Sequence, residues 1–299
     1  MTPPDPGWGS RWPAPAKINL FLHVLGRRDD GYHDLQTAFQ FLDFCDDIVI
    51  DRCDNSDIER PLGLPGIDAG EDLVVIAAQR LKEVTGYSGG ARISVTKRIP
   101  HGAGLGGGSS DAATVLVALN HLWGIGLEPG ELAEIGLGVG ADVPVFIHGK
   151  AAWAEGRGER LSPMDFETPL FVVVRPECEV ATGRIFGAPE LTRNSAPITI
   201  SGFLSTGGRN DCLAVVSRLY PEVREALEWL SDQQVTMKTG QGEARLTGTG
   251  SCVFAGFGDA QEARAVLERL PGNMSGFIAR GINVSPLLEM TGRAAGGDY

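Results

Sequence analysis

"HGAGLGGGSSDAA", residues 101–113, places five glycines within the seven positions 102–108 and then turns into a helix-forming run. A stretch so free of side chains lets something approach the main chain. Its N–H groups can face an anion, and a helix starting near Ser109 adds unpaired donors and a partial positive charge. Two common nucleotide loops do not fit. Gly102, Gly104 and Gly107 have the dinucleotide spacing, but "GIGLEPGELAEIGLGVG" (124–140) supplies no following strand ending in an acid. A Walker loop needs Gly-Lys-Ser/Thr, whereas Gly108 is followed by Ser109 and Ser110. Ser109 or Ser110 is expected to cap the helix, or to offer its hydroxyl to phosphate or a metal-bound water. Asp111, in the first turn, would repel a bare phosphate and is expected to point away or toward a divalent cation.

Outward from this loop, the order of elements indicates an α+β protein. "PAKINLFLHVLG" (15–26) alternates, with Ile18, Leu20, Leu22 and Val24 on one face and Lys17, Asn19, Phe21 and His23 on the other, as in a half-buried strand. Asp30-Gly31 is a turn signal before a second strand over 37–50. Residues 54–70 read as a loop, "EDLVVIAAQRLKEVTG" as a helix closed by Gly86, and "ARISVTKRI" as a strand. Val115, Leu116, Leu119, Leu122 and Trp123 recur at helical spacing up to Gly124. A helix over 129–137 and a strand through "AAWAEGRGE" follow, and 158–169 reads as a linker. Beyond it come a strand (170–175), helices (211–230), paired strands (243–257), a helix (260–269) and a strand (276–284), the pattern of a second α+β domain.

At 299 residues the chain exceeds the size at which one core stops growing, so two domains are expected. The proposed boundaries are a disordered tail at 1–12 and domains at 13–160 and 161–299. Twenty-six Lys and Arg against 38 Asp and Glu leave a net charge of −12, which argues against a nucleic-acid or anionic-membrane partner. Phosphate must then be met by local donors and a few placed cations, which points to a small ligand. The five cysteines form no CxxC pair and suit buried thiols in a reducing, cytoplasmic compartment. The histidines lack zinc spacing, and no apolar run reaches the ~20 residues of a membrane span. "MTPPDPGWGSRWPAP" lacks the apolar core of a signal peptide.

"PHGAGLGGGSSDAA" closely resembles the second motif of the galactokinase, homoserine kinase, mevalonate kinase and phosphomevalonate kinase (GHMP) superfamily. "PAKINLFLHVLGRRDDGYHDLQTAFQFLD" resembles its first motif and "LTGTGSCVFAGF" its third, in the same order and spacing over about residues 13–288. The resemblance implies a ribosomal-protein-S5-domain-2-like N-terminal domain and a ferredoxin-like C-terminal domain. It implies ATP with Mg2+ as cofactors and phosphorylation of an alcohol. "AKINLFL", "DGYH" and "GADVPVF" are similar to the branch whose substrate carries a cytidine diphosphate group.

On that resemblance Asp142 is the catalytic base; Asp before Val-Pro also suits a helix N-cap, and the two roles can coexist. A carboxylate is a weak base toward an alcohol and serves only if the hydroxyl proton leaves late. Lys17 is expected beside Asp142, where its charge would favour loss of that proton, and Asn19 would hydrogen-bond substrate. The nucleotide side would comprise Lys97, Pro100, Gly102, Gly104, Gly106, Gly107, Gly108, Ser109 and Ser110. Tyr32 and Phe186 would stack on the two faces of the cytosine, with His33 reading its polar edge and Thr182 bonding nearby. Gly248 and Gly250 would approach the reaction centre, though an ordinary hairpin gives the same pattern. A member acting on a substrate without a nucleobase would have no use for Tyr32, His33 and Phe186. No metal ligand is assigned. Asp72 stands where relatives commonly have Asn, Gly183 where they have Pro, and "VTMKTGQGEAR" (235–245) has no assigned role.

Overall fold

Asp30-Gly31 reverses the chain, with Gly31 at φ 85°, and the segments it joins run antiparallel from Arg27↔His33 out to Arg11↔Val49. In this computed structural model, which describes residues 6–63, 68, 70–233 and 243–292, they are β1 (Arg11–Arg27) and β2 (His33–Cys53). The 235–245 segment lies outside the described residues as far as residue 242. The N-terminal half continues through β3 (Ile58–Glu59), α1 (Leu73–Thr85), β4 (Gly90–Thr96), α2 (Gly107–Leu122), α3 (Pro129–Leu137), α4 (Val143–His148), β5 (Ala152–Gly156) and β6 (Arg160–Pro163). One edge of β2 carries β1, and the other carries β5 near its start and β4 near its end.

The C-terminal half runs β7 (Leu170–Pro176), α5 (Thr182–Gly187), α6 (Ile200–Thr206), α7 (Leu213–Leu219), α8 (Pro221–Ser231), β8 (Arg245–Leu246), β9 (Val253–Phe257), α9 (Ala260–Glu268), β10 (Met274–Ile282) and α10 (Pro286–Met290). Its strands lie in the order β10-β7-β9-β8, all antiparallel, which is the split βαβ arrangement expected of a ferredoxin-like domain. Gly281 and Ile282 of β10 also pair with Leu42 and Phe41 of β2, joining the two sheets. A side chain at Gly281 would meet Phe171 at 2.8 Å and Gln40 at 3.0 Å, so the junction requires glycine.

Two expectations are corrected here. The alternation in β1 predicts one wet face, yet Lys17, Asn19 and His23 are all buried. The register shifts between Asn19 and Phe21, which turns Phe21 into the cluster formed with Trp153 and Phe203. The polar face of β1 is covered by the third-motif turn and by the 209–211 segment: Thr247 accepts from Asn19 N, and Leu22 N donates to Arg209 O. Second, the expected disordered tail does not extend to residue 12. Trp12 is fully enclosed in the N-terminal core and Trp8 packs against the same cluster. A buried indole holds chain that composition alone marks as loose.

Candidate active site

A cavity of about 580 Å³ lies between the two halves, walled by β1, the 100–109 loop, the 248–250 turn and α5. The loop that forms its floor is anchored through its carbonyls. Gly102 O accepts from Ser251 N, Ala103 O from Cys252 N, Gly104 O from Thr247 Oγ1 and Leu105 O from Lys17 N. The amides are left over. No described residue accepts from the N–H groups of Gly106, Gly107, Gly108 or Ser109 at the start of α2. Gly102, Gly104 and Gly106 are all left-handed, and a side chain at Gly104 would stand 2.2 Å from Thr247 O.

The serine expectation is corrected. The helix begins at Gly107, Gly106 is its N-cap, and no side chain caps it. Ser109 therefore faces the cavity, while Ser110 is carried onto the buried side of α2 with its hydroxyl unpartnered, and it does not line the cavity. Asp111 points away from the cavity, as one of its two expected placements has it, and pairs with Lys97 at 2.7 Å. Lys97 also pairs with Asp46, whose other oxygen accepts from the amides of Arg98 and Ile99. Burial pushes the Asp111 carboxyl up to about 7, with Lys97 opposing and Asp46 reinforcing the rise. Burial pulls the Lys97 ammonium down, but Asp111 and Asp46 outweigh it and the net movement is upward. Lys97 thus lines the cavity as a held cation beside Gly107.

Lys17 Nζ lies 3.2 Å from Asp142 Oδ2. It also donates to Asn19 Oδ1 at 2.6 Å, and Asn19 Nδ2 donates to Thr37 Oγ1 at 2.9 Å. Both ends of the Asn19 amide are thus engaged in holding Lys17 in place. Asp142 occupies the N-cap position of α4 but makes no capping bond, which leaves its carboxylate to Lys17 and the cavity. Among the described residues it is the one carboxylate lining the cavity, against Lys17, Lys97 and Arg157. A chain of net charge −12 has gathered positive charge here.

The opposite end of the cavity is aromatic. Tyr32 is 53% exposed, and the Arg157 guanidinium sits 4.7 Å above its ring. The His33 and Phe186 rings lie 5.1 Å apart, tilted by 31°. Burial, then Arg193 and Arg27, pull the His33 imidazolium below its usual range, so the ring is neutral near pH 7. Thr182 and Thr249 share a hydrogen bond of 2.9 Å, and Asn210 donates to Leu246 O and Gly248 O, holding the glycine turn. Gly248 and Gly250, both left-handed, line the wall, as do Pro100 and Gly183. Sequence reading missed Arg157, Thr37 and Arg193. Only Arg157 had a local signal, the "GRG" turn whose two glycines have positive φ. Asp72 caps α1 through Val74 N and forms a buried pair with Arg60, outside the cavity wall.

Of the thiols expected to be buried, those of Cys212 and Cys252 are, while Cys45, Cys53 and Cys178 are partly exposed. All five cysteines are unpaired, and burial pushes those of Cys45, Cys212 and Cys252 up to about 12. No described helix is long and apolar enough to cross a membrane.

A floor of bare amides facing a lysine–carboxylate pair is found here on the fold of a small-molecule kinase. Residues 72–150 match the GHMP kinases N terminal domain and residues 201–276 the GHMP kinases C terminal domain. A solved mevalonate kinase shares the fold, with a TM-score of 0.66 at 16% identity over 92% of this chain and 99% of that one. The chain belongs to the GHMP kinase superfamily. It is 54% identical over 93% of its length to the 4-diphosphocytidyl-2-C-methyl-D-erythritol kinase of Halorhodospira halophila, covering 95% of that protein. The Nitrosococcus oceani kinase of the same name is 51% identical, with 93% and 96% covered. A crystal structure of 4-(cytidine 5'-diphospho)-2C-methyl-D-erythritol kinase superposes with a TM-score of 0.77 at 32% identity, covering 91% of this chain and 99% of that one. Within the superfamily, this chain is a member of the 4-diphosphocytidyl-2-C-methyl-D-erythritol kinase family.

Proposed function

We propose that this chain transfers the terminal phosphoryl group of ATP to the 2-hydroxyl of the methylerythritol portion of 4-diphosphocytidyl-2-C-methyl-D-erythritol, a step of the non-mevalonate isoprenoid pathway. The observation that carries this reading is the Lys17–Asp142 contact of 3.2 Å, set in one cavity between free amides and a Tyr32, His33 and Phe186 cluster. The same reading divides the chain into its two kinase domains just past β6, which ends at Pro163 and pairs with β5. The unpaired cysteines suit a cytoplasmic enzyme.

In this mechanism the protein positions and stabilises charge. The amides of Gly106 to Ser109 and the Lys97 ammonium hold phosphate oxygens. Asp142 orients the acceptor hydroxyl and takes its proton late, as the bond to phosphorus forms. Lys17, held by Asn19, stabilises the oxygen as it gains charge. Tyr32 and Phe186 flank the cytosine, His33 bonds its edge, and Arg157 supplies a cation suited to the diphosphate. Magnesium would come with the nucleotide. No group of three or more His, Cys, Asp or Glu among the described residues is arranged to hold a metal, and the cavity has one carboxylate. Phosphate oxygens with the Ser109 hydroxyl would hold the ion, which would neutralise phosphate charge there.

The test is to incubate the protein with ATP and magnesium and, separately, diphosphocytidyl methylerythritol, mevalonate and homoserine. ADP release with the first alone, and phosphorus coupling that locates the new ester on the 2-oxygen, is the expected result. Release with mevalonate or homoserine instead would replace the substrate assignment. Binding of ATP without turnover of any acceptor would make the chain a nucleotide sensor.

A further inference from the structure

Arg193, in "LTRNSA" (191–196), lies outside every motif used above, yet its guanidinium is fully engaged. Nη2 donates to Phe186 O at 2.8 Å and Ala188 O at 2.7 Å, and Nη1 to Leu191 O at 3.2 Å and Pro189 O at 3.4 Å. Nε donates to His33 Nε2 at 3.1 Å. An arginine has five N–H donors, and all five find acceptors here. Four staple the turn that carries Phe186. The fifth reaches the imidazole that packs, tilted, against Phe186.

That fifth bond has a chemical consequence. Guanidinium stays protonated throughout the accessible pH range and has no acceptor atom, so Arg193 Nε can only donate. His33 Nε2 must therefore accept, which puts the single proton of the neutral ring on Nδ1. Burial, then Arg193 and Arg27, disfavour the doubly protonated ring, which would break the bond. No described residue bonds Nδ1, and His33 lines the cavity. The cavity is thus offered a fixed N–H donor. Cytosine has a bare acceptor at ring N3, whereas uracil carries an N–H there, so the same donor suits one base and opposes the other.

We propose that Arg193 is a positioning residue for base selection: by holding the His33 proton on Nδ1, it makes the aromatic end of the cavity favour cytosine over uracil. The proposal rests on the reading that this end receives the cytidine group. Selectivity between the bases should be roughly 10- to 100-fold, the factor that follows from leaving one buried donor unpaired.

Two measurements test it. Long-range 1H–15N correlation on histidine-labelled, ligand-free protein, with His33 assigned by H33Q, should show the Nδ1–H form from pH 6.5 to 8. An Nε2–H form or a mixture overturns the proposal, without any variant of Arg193 having to fold. Calorimetry with CDP and UDP, the ATP end filled by a non-hydrolysable analogue, should give the predicted preference for CDP. In R193M that preference should collapse toward unity, with His33 becoming a tautomer mixture. Equal weakening of both ligands with the tautomer unchanged would leave Arg193 as a loop staple and sink the proposal. Failure of the substrate reading is seen separately, as absent ADP release with the full cytidine substrate.

Discussion

Lys17 and Asp142, from opposite ends of the N-terminal half, form a pair in which the lysine side chain is 4% exposed and the carboxylate 32%. The lysine is enclosed and braced by Asn19, so its position is set before any substrate arrives. The more open carboxylate faces the cavity. This asymmetry suits a fixed charge and a proton acceptor with distinct tasks.

Replacing either should separate turnover from folding. Asp142→Asn and Lys17→Ala are each expected to lower kcat by at least ~100-fold, the range for loss of a positioned acid–base or charge-stabilising group. Circular dichroism should retain the native spectrum. Near-normal turnover in either variant removes that residue from the mechanism.

The loop glycines should differ in their tolerance of a methyl group. Gly104→Ala places Cβ against Thr247 O at 2.2 Å and should destabilise by about 2–4 kcal/mol in urea titrations. At Gly102 the nearest atom is a Glu179 side-chain carbon at 3.7 Å, so only the left-handed φ of 63° is strained and about 1 kcal/mol is expected. Gly106→Ala, also left-handed, meets Phe146 Cζ at 2.9 Å and Lys17 Cε at 3.0 Å, so it should cost stability and in addition lower kcat by displacing that lysine. Equal costs at Gly102 and Gly104 would contradict the anchored loop.

The Asp46–Lys97–Asp111 cluster predicts a pH signature. The folded state raises the Asp111 carboxyl to about 7, so it holds a proton that the unfolded chain has already lost. Its contribution is therefore fully present below about pH 4 and is lost as pH rises toward 7. Asp111→Asn removes that titration. Wild-type stability should fall relative to this variant between pH 4 and 7, by an upper limit of about 4 kcal/mol. Parallel stability curves over that range would show that the shift is absent.

Asp72→Asn tests the departure from the common family residue. Asparagine can still accept from Val74 N, but Arg60 would be left buried without its counter-ion. A loss of about 3–5 kcal/mol is expected in chemical denaturation, largely recovered when Arg60→Met is added. A neutral single substitution would show that the pair adds nothing.

Much of this molecule is legible along the chain because its signals are local. The glycine loop, the Asp30-Gly31 turn, the closing Gly86 and the alternating C-terminal elements depend on a few neighbouring residues, and they appear where those residues predict. Errors arose where a distant surface covered a local pattern. The polar face of β1 reads as wet because nothing nearby reports that the third-motif turn and the 209–211 segment lie on it. Residues 8–12 read as tail because a Gly- and Pro-rich composition does not reveal where Trp12 is buried. Ser110 reads as a cap because the helix start depends on how Gly106 is anchored, two residues earlier than composition places it.

Residue order alone determined the chemical inventory and the backbone that permits it: glycines that no side chain obstructs, one lysine on an early strand, and one aspartate before Val-Pro. Their convergence belongs to the folded molecule. Asp142 reaches Lys17 once α4 packs on α2 and α3 within the N-terminal half, whereas Arg193 reaches His33, and the loop carbonyls reach Ser251, Cys252 and Thr247, only after the two halves join. Local propensity acts over a few residues, whereas charge pairing, hydrogen bonding and exclusion of water act between surfaces that only chain folding brings together.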